Sequence, residues 1–170
     1  MAGFCAAHRR RLQPPAWLML CLLVAGLISP VLATTTATAT QQQIVELAGV
    51  PLEVEYVADP ESRRQGLMGR THLPSGTGML FDFPEGTQPS IWMRNMKISL
   101  DLLYIDARGD IVQIFRDVPP CRSMPCEIYH ASKPLRFVLE VPAGTATELG
   151  LLPGQQIGLG ALKDRPAPRQ

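Results

Sequence analysis

Four side chains in the middle of the sequence, Arg70, Trp92, Asn95 and Asp101, are of the types that small-ligand recognition uses. A tryptophan on a sheet can stack on a sugar ring or another planar ligand, while neighbouring amide and charged groups hydrogen-bond to it. The same residues also have a structural interpretation. Asn95 and Asp101 could bond the backbone of a turn, and Arg70 could pair with Asp101 or Asp82. We predict a ligand-binding site at these four positions, and the structural interpretation stays open.

Side chains suited to catalysis are harder to find. Beyond residue 33 the sequence has two histidines, His72 and His130, and neither lies in a motif of the G-x-S-x-G or S-x-x-K type. Two carboxylates such as Asp82 and Asp101 could cleave a glycosidic bond if they faced each other. We therefore predict no catalytic residue and consider an enzyme the less favoured class. A hydrolase that acts on envelope saccharides through paired carboxylates is the first alternative.

Methionines offer a third kind of chemistry. Thioethers suit Cu(I), and the candidate ligands are Met68, Met79, Met93, Met96, Met124 and His130. Among the methionines only Met93 and Met96 form a tight pair, and on a strand their side chains would point to opposite faces. Methionines more often fill gaps in a core. We predict no metal ligand and no cofactor, and a periplasmic copper-binding accessory protein is the second alternative.

The first 33 residues predict export. The arginines Arg9 to Arg11 precede an apolar, uncharged run of 18 residues, 16–33, which ends in small residues. This order is typical of a secretory signal peptide, so we predict a signal peptide over 1–33 and a periplasmic or secreted protein. An uncleaved segment that anchors the protein in the membrane is the alternative, because the run is just long enough to span a bilayer. The polar segment 34–43 predicts a flexible leader.

Charge and cysteine content narrow the classes of function. Of 16 basic residues, three lie in the predicted signal peptide, which leaves 13 against 15 acidic residues and a formal charge of −2. Nucleic-acid binding is disfavoured because no basic surface is encoded. In an exported protein, the neighbouring Cys121 and Cys126 are expected to form a disulfide. We expect a monomer whose partner is a small polar ligand, a glycan or an envelope protein.

Strand patterns dominate the remaining sequence. Apolar and acidic residues alternate in Leu52–Tyr56, as in a half-buried strand. Further strands are predicted at 79–83, 88–95, 102–105, 111–116, 135–141 and 156–159. Asp59 and Pro60 predict the start of one short helix, and 145–148 has the spacing of a capping box for a second. The fold prediction is mainly β, a small closed barrel or curled sandwich of about seven short strands with two short helices. This single domain covers 44–162, and a disordered tail follows at 163–170.

Ordered motifs run through most of this predicted domain. They are Gly66–Arg70, Gly78–Phe81, Trp92–Asn95, Leu100–Asp101, Tyr104–Asp106, Pro120–Cys121, Pro125–Cys126, Tyr129, Glu140–Gly144 and Glu148–Gly150. In these motifs the sequence resembles the domain of unknown function 192 family over about 45–159. The resemblance implies a compact β-rich fold that is often exported, and it implies no activity. The sequence departs from the family pattern at Met96, where a small hydroxyl residue is usual, and at Ser99, where proline is usual.

Overall fold

The computed structural model of the protein describes residues 41–169. The predicted signal peptide and residues 34–40 of the predicted leader lie outside this range. In chain order the elements are β1 (Gln41–Leu47), β2 (Val50–Val57), α1 (Pro60–Gln65), β3 (Thr77–Asp82), β4 (Ser90–Trp92), β5 (Leu100–Ile105), β6 (Ile111–Val118), β7 (Ile128–His130), β8 (Phe137–Pro142), α2 (Thr145–Glu148) and a 3₁₀ helix (Gly160–Leu162). Among these residues no helix has the length and apolar character needed to cross a bilayer.

The eight strands of the described chain form two sheets. The larger sheet has the order β1-β2-β3-β8-β5-β6, and the smaller one pairs β4 with β7. All neighbours are antiparallel except β2 and β3, which are parallel and are connected through α1. The prediction of a mainly β fold with two short helices is confirmed.

The larger sheet curls without closing into a barrel. Its edge strands are β1 and β6, and the chain after α2 contacts both of these regions through isolated bridges. Gly158 pairs with Glu46 of β1, and Gln156 pairs with Asp110, directly before β6. A curled sandwich therefore describes the fold, and the predicted strand over 156–159 is reduced to these two bridges.

The central strands β3, β5 and β8 are covered on both faces. One face carries a core that includes Leu80, Leu103 and Leu139, and the other carries a second core with Phe81 and Tyr104. Strands buried on both faces lose the polar–apolar alternation that marks a solvated face. The acidic side chains on these three strands, Asp82, Asp101 and Glu140, are consequently held inside the protein.

The bounds of some elements differ from the predictions because the strands with which they pair could not be recognised from the sequence. β1 begins at Gln41, three residues before the predicted start of the domain, because residues 41–43 pair with β2. The predicted strand 88–95 is reduced to Ser90–Trp92, and β7, its partner, was not predicted. In the predicted tail, Arg165 donates to Gln41 Oε1 at 3.2 Å.

The two helices begin in different ways. Asp59 caps α1 as predicted, because its carboxylate accepts from the backbone N–H groups of Glu61 and Ser62. The capping box predicted for α2 is wrong. The Thr145 hydroxyl donates to the Pro142 carbonyl at 2.6 Å, and no neighbouring side chain caps the helix.

A disulfide joins Cys121 to Cys126, with 5.5 Å between their Cα atoms. It closes a short loop between β6 and β7. A loop of this length contributes only about 2 kcal/mol through chain entropy. The predicted pairing is the one present in the structure.

Candidate functional site

Asp101, one of the four predicted site residues, is fully buried and serves the fold. Its Oδ1 accepts from the Asp117 N–H at 2.7 Å, and its Oδ2 accepts from the Ala146 N–H at 2.8 Å. Asp101 therefore provides the N-terminal cap of α2 from 45 residues away. This geometry matches the structural interpretation and leaves no face of the carboxylate open to a ligand.

Arg70 also forms a protein contact, but with a partner that was not predicted. Its guanidinium binds Glu55 through two hydrogen bonds, with Nη2 2.7 Å from Oε2 and Nη1 against Oε1. That hydrogen bonding is the main reason why the pKa of Arg70 is raised. The predicted pairing of Arg70 with Asp82 or Asp101 is wrong. Arg70 borders a separate depression beside β2 and does not meet Trp92.

Asp82 belongs to a buried network on the sheet. Its carboxylate accepts from the Tyr56 hydroxyl at 2.8 Å and from Nε and Nη2 of Arg136, both at 3.0 Å. The pKa of Tyr56 is raised to about 12 by burial and by this carboxylate. Asp82 and Asp101 are fully buried and bind separate protein partners, which is not the arrangement of two facing carboxylates that glycoside hydrolysis needs.

The histidines contribute no catalytic arrangement in the described chain. His130 Nδ1 lies 2.8 Å from Ser90 Oγ across the β4–β7 pair, and both residues are exposed. No acidic side chain of residues 41–169 hydrogen-bonds to the imidazole of His130, so the orienting group of a triad is missing there. Among the same residues, no three His, Cys, Asp or Glu side chains form a metal-binding group.

Trp92 and Asn95 lie beside each other in the chain but border different depressions. The Trp92 side chain is 41% exposed, and the Arg94 guanidinium lies 5.4 Å from the centre of its ring. Asn95 occupies a left-handed turn with φ of 60°, and its Nδ2 approaches Met68 Sδ at 3.9 Å. Of the four predicted residues, Trp92 alone lines the partly open cavity described next.

A cavity of about 240 Å³ lies between α1 and the turn that follows β4. Its walls are mainly thioether and aromatic: Met68, Met93, Met96, Phe81, Phe83 and Trp92. Gly66 ends α1 with φ of 48°, and a Cβ there would stand 3.3 Å from the Phe81 ring. A residue without a side chain is therefore required for the helix to approach this wall.

Glu140 lies in the lining of this cavity, which we call the Glu140 cavity. The residue belongs to the central strand β8, opposite Met79 on one side and Leu102 on the other, and it is only 5% exposed. Within residues 41–169 its carboxyl makes no ion pair, and burial is the cause of its shifted pKa. Because no fully buried polar side-chain atom of these residues lacks a partner, the Glu140 oxygens reach the open space of the cavity. Burial raises the pKa of Glu140 from 4.5 to about 8, because a charged carboxylate is poorly solvated there.

Tyr104 is the titratable neighbour of Glu140 on β5. Burial raises the pKa of the Tyr104 phenol, and the charge of Glu140 raises it further. The Tyr104 hydroxyl donates to the Tyr129 carbonyl at 2.5 Å, so it is already used by the protein. Tyr104 therefore does not serve as the hydrogen-bond partner of Glu140 in the cavity lining.

Glu140 is not among the predicted site residues. A feature of the sequence does set it apart, since it is the single acidic residue in the apolar strand Phe137–Pro142. Alternation by itself would place it on a solvated face with Arg136. The second core covers that face, and only the tertiary structure shows this.

The methionines also differ from the prediction. β4 ends at Trp92, and a turn follows in which the Met96 N–H donates to the Met93 carbonyl at 3.3 Å. Met93 and Met96 are therefore not on opposite faces of a strand, and both line the Glu140 cavity together with Met68. Met79 is buried in the core, while Met124 is exposed in the disulfide loop.

A second, larger cavity of about 540 Å³ lies elsewhere on the domain. Its charged residues include Asp106, Arg108 and Arg136. Arg108 pairs with Asp106 at 3.2 Å, and Arg136 pairs with Asp82. Glu85 and Lys133 also line this cavity, so its charged residues are of both signs, and none of them is buried as deeply as Glu140.

Comparison with known proteins agrees with this fold. A family model described as "Uncharacterized ACR", the domain of unknown function 192 family, matches residues 43–159. The chain belongs to this family. Two solved structures resemble it, each with a TM-score of 0.64. No curated protein matches the chain.

The two similar structures come from bacteria. A Sinorhizobium meliloti protein described as a "putative transcription regulator" is 35% identical, and the match covers 70% of this chain and 94% of that one. A protein of unknown function from Novosphingobium aromaticivorans is 26% identical, with 72% and 88% covered. The family assignment therefore supports the fold, while the function has to be argued from the site.

Proposed function

We propose that this domain is a non-enzymatic binding protein that takes one small organic molecule into the Glu140 cavity. The observation that carries the proposal is a nearly buried carboxyl without a protein partner, in the lining of a mainly apolar cavity. Small-molecule sites commonly combine apolar walls with a few polar groups that fix orientation. The proposed ligand has an apolar body and one polar head.

The energetics of Glu140 support a role in binding. A buried carboxyl without a partner destabilises the folded state when it ionises. Strongly shifted titratable groups in clefts are over-represented at functional sites. Glutamine or an apolar residue at this position would avoid the penalty, so stability alone gives no reason for a glutamate there. A bound ligand with a hydrogen-bonding head would supply the missing partner.

We further propose that the protein acts outside the cytoplasm, in the periplasm or after secretion. The arginine-led apolar segment at 9–33 supports this proposal. The Cys121–Cys126 disulfide is in keeping with it, because disulfides persist in oxidising compartments.

The test is a thermal-shift screen of the purified protein against small aromatic and aliphatic fragments. Met96→Trp would fill the cavity, because Met96 lies on its wall and is partly buried. Met124→Trp is the matched control, since Met124 is 68% exposed and lies outside the cavity. Fragments should raise the melting temperature of the unchanged protein and of Met124→Trp but not of Met96→Trp. An equal shift in Met96→Trp, or no fragment that shifts the unchanged protein, would refute the proposal.

Soft-metal binding is the second candidate, and one observation favours it. Met68, Met93 and Met96 border the same cavity, and thioethers bind Cu(I). His130 is not part of this lining. Titration with Ag(I), which has the same preference for sulfur, should then show one tight site that is lost when the three methionines are replaced by leucine.

A further inference from the structure

We infer that the ligand of the Glu140 cavity is a small organic cation whose ammonium group pairs with the Glu140 carboxylate. This inference rests on the proposed binding function and specifies its ligand class. It follows from the charges around the cavity, from the chemistry of its walls and from its size.

The charges nearest the cavity leave Glu140 without a counter-ion. Arg63 and Arg64 border the cavity, but each is used elsewhere. Arg63 donates to the carbonyls of Ala58 and Asp82, the second at 2.9 Å, and Arg64 pairs with Glu61 at 2.6 Å. Within residues 41–169 no basic side chain forms an ion pair with Glu140. When Glu140 ionises, a ligand cation would provide the ion-pair partner that it lacks.

The walls favour a cation with an apolar body. Aromatic faces attract ammonium groups, and thioether sulfur is polarisable and packs well against apolar groups. Two rings of the lining already have protein cations nearby: the Arg63 guanidinium lies 5.3 Å from the Phe83 ring centre, and Arg94 lies 5.4 Å from that of Trp92. Trp92 and Arg94 are exposed, whereas Glu140 lies on the buried strand β8.

The cavity volume limits the size of the ligand. An apolar cavity of about 150 Å³ binds benzene, so about 240 Å³ has room for a benzene ring with a short substituent. Benzylamine is such a molecule and combines a flat apolar body with one ammonium group. Benzyl alcohol is its neutral isostere, and benzoate carries the opposite charge.

The direction of pH dependence follows from the groups that face the carboxyl. Tyr104 on β5 is a titratable neighbour, and Arg63 and Arg64 on α1 are the basic residues that border the cavity. Glu140 is protonated in the empty cavity near neutral pH, because burial raises its pKa to about 8. An ammonium ligand requires the ionised carboxylate, so its affinity should rise between pH 6 and pH 8. The affinity of benzyl alcohol should not rise with it.

The experiment is isothermal titration of the purified protein with benzylamine, benzyl alcohol and benzoate at pH 8. Benzylamine should bind at least about tenfold more tightly than benzyl alcohol, the difference expected of one charge-assisted hydrogen bond. Glu140→Gln should remove that preference and leave the affinity for benzyl alcohol within about threefold. Glu53→Gln, an exposed strand glutamate, is the control and should change neither affinity.

The outcomes separate this inference from the binding proposal. Equal affinities for benzylamine and benzyl alcohol, or tighter binding of benzoate, would overturn the ammonium assignment while the cavity remained a binding site. Retained amine preference in Glu140→Gln would overturn it as well. If Ag(I) bound tightly and displaced benzylamine, soft-metal binding would replace the ammonium assignment as the function of the cavity. If none of the three probes bound and the fragment screen also failed, the binding proposal itself would fall.

Discussion

Replacing Glu140 by glutamine should stabilise the protein in a way that depends on pH. Burial raises the pKa of Glu140 from 4.5 to about 8, so between these values the folded protein holds a proton that the unfolded chain releases. Stability therefore falls as pH rises through this interval, and the loss is complete above pH 8. Glutamine has nearly the same shape as the protonated acid and has no proton to release.

The magnitude follows from the width of the interval. From 4.5 to about 8, at about 1.4 kcal/mol per pH unit, the loss amounts to about 5 kcal/mol. The free energy of unfolding of Glu140→Gln should thus exceed that of the unchanged protein only slightly at pH 4.5. The excess should be about 3 kcal/mol at pH 7 and about 5 kcal/mol at pH 9.

Urea unfolding followed by circular dichroism at pH 4.5, 7 and 9 would measure this difference. Subtracting the two proteins at each pH cancels the other titrating groups, such as Asp59 and Asp106, whose pKa values are lowered by hydrogen bonds to the protein. The control Glu53→Gln changes an exposed glutamate of β2 and should give a difference that stays level. If the difference in free energy of unfolding between Glu140→Gln and the unchanged protein did not vary with pH either, the Glu140 carboxyl would be well solvated. The reasoning about the cavity would then be refuted.

Three further substitutions test how the predicted site residues and their neighbours are used. Asp101→Ala removes the acceptor of the Asp117 and Ala146 N–H groups and should lower the free energy of unfolding by about 3 kcal/mol, measured with urea. Asp82→Asn leaves the mostly buried Arg136 without its charge partner and should cost about 3 kcal/mol in the same assay; a change near zero would contradict the assigned network. Arg70→Ala breaks a partly exposed pair with Glu55 and should cost less than about 1 kcal/mol. Arg70→Ala should also leave fragment binding unchanged, and a loss of fragment binding would show that Arg70 belongs to the ligand site.

The structure uses the four residues of the predicted site in different ways. Trp92 does line the cavity, but Arg70 and Asp101 are used by Glu55 and by two backbone N–H groups. Residue type indicates what a side chain can bind. It does not indicate whether the rest of the fold has already supplied a partner.

The sequence by itself determined the features that depend on nearby residues. The start of α1 at Asp59 and Pro60, the alternation in β2, the Cys121–Cys126 pairing and the family all follow from local patterns or from ordered motifs. Such features need only interactions within a few residues, or a match to a known pattern, to be predicted.

The tertiary structure decided which polar groups are buried and which of them find partners. Asp101 reaches α2 across 45 residues, and Glu140 is buried because a second core covers the face of β8 that alternation would leave in water. Met68 joins Met93 and Met96 only when α1 and the turn after β4 pack together. Burial and pairing are properties of the whole packed chain, so no local pattern could have revealed the cavity or its unpartnered carboxyl.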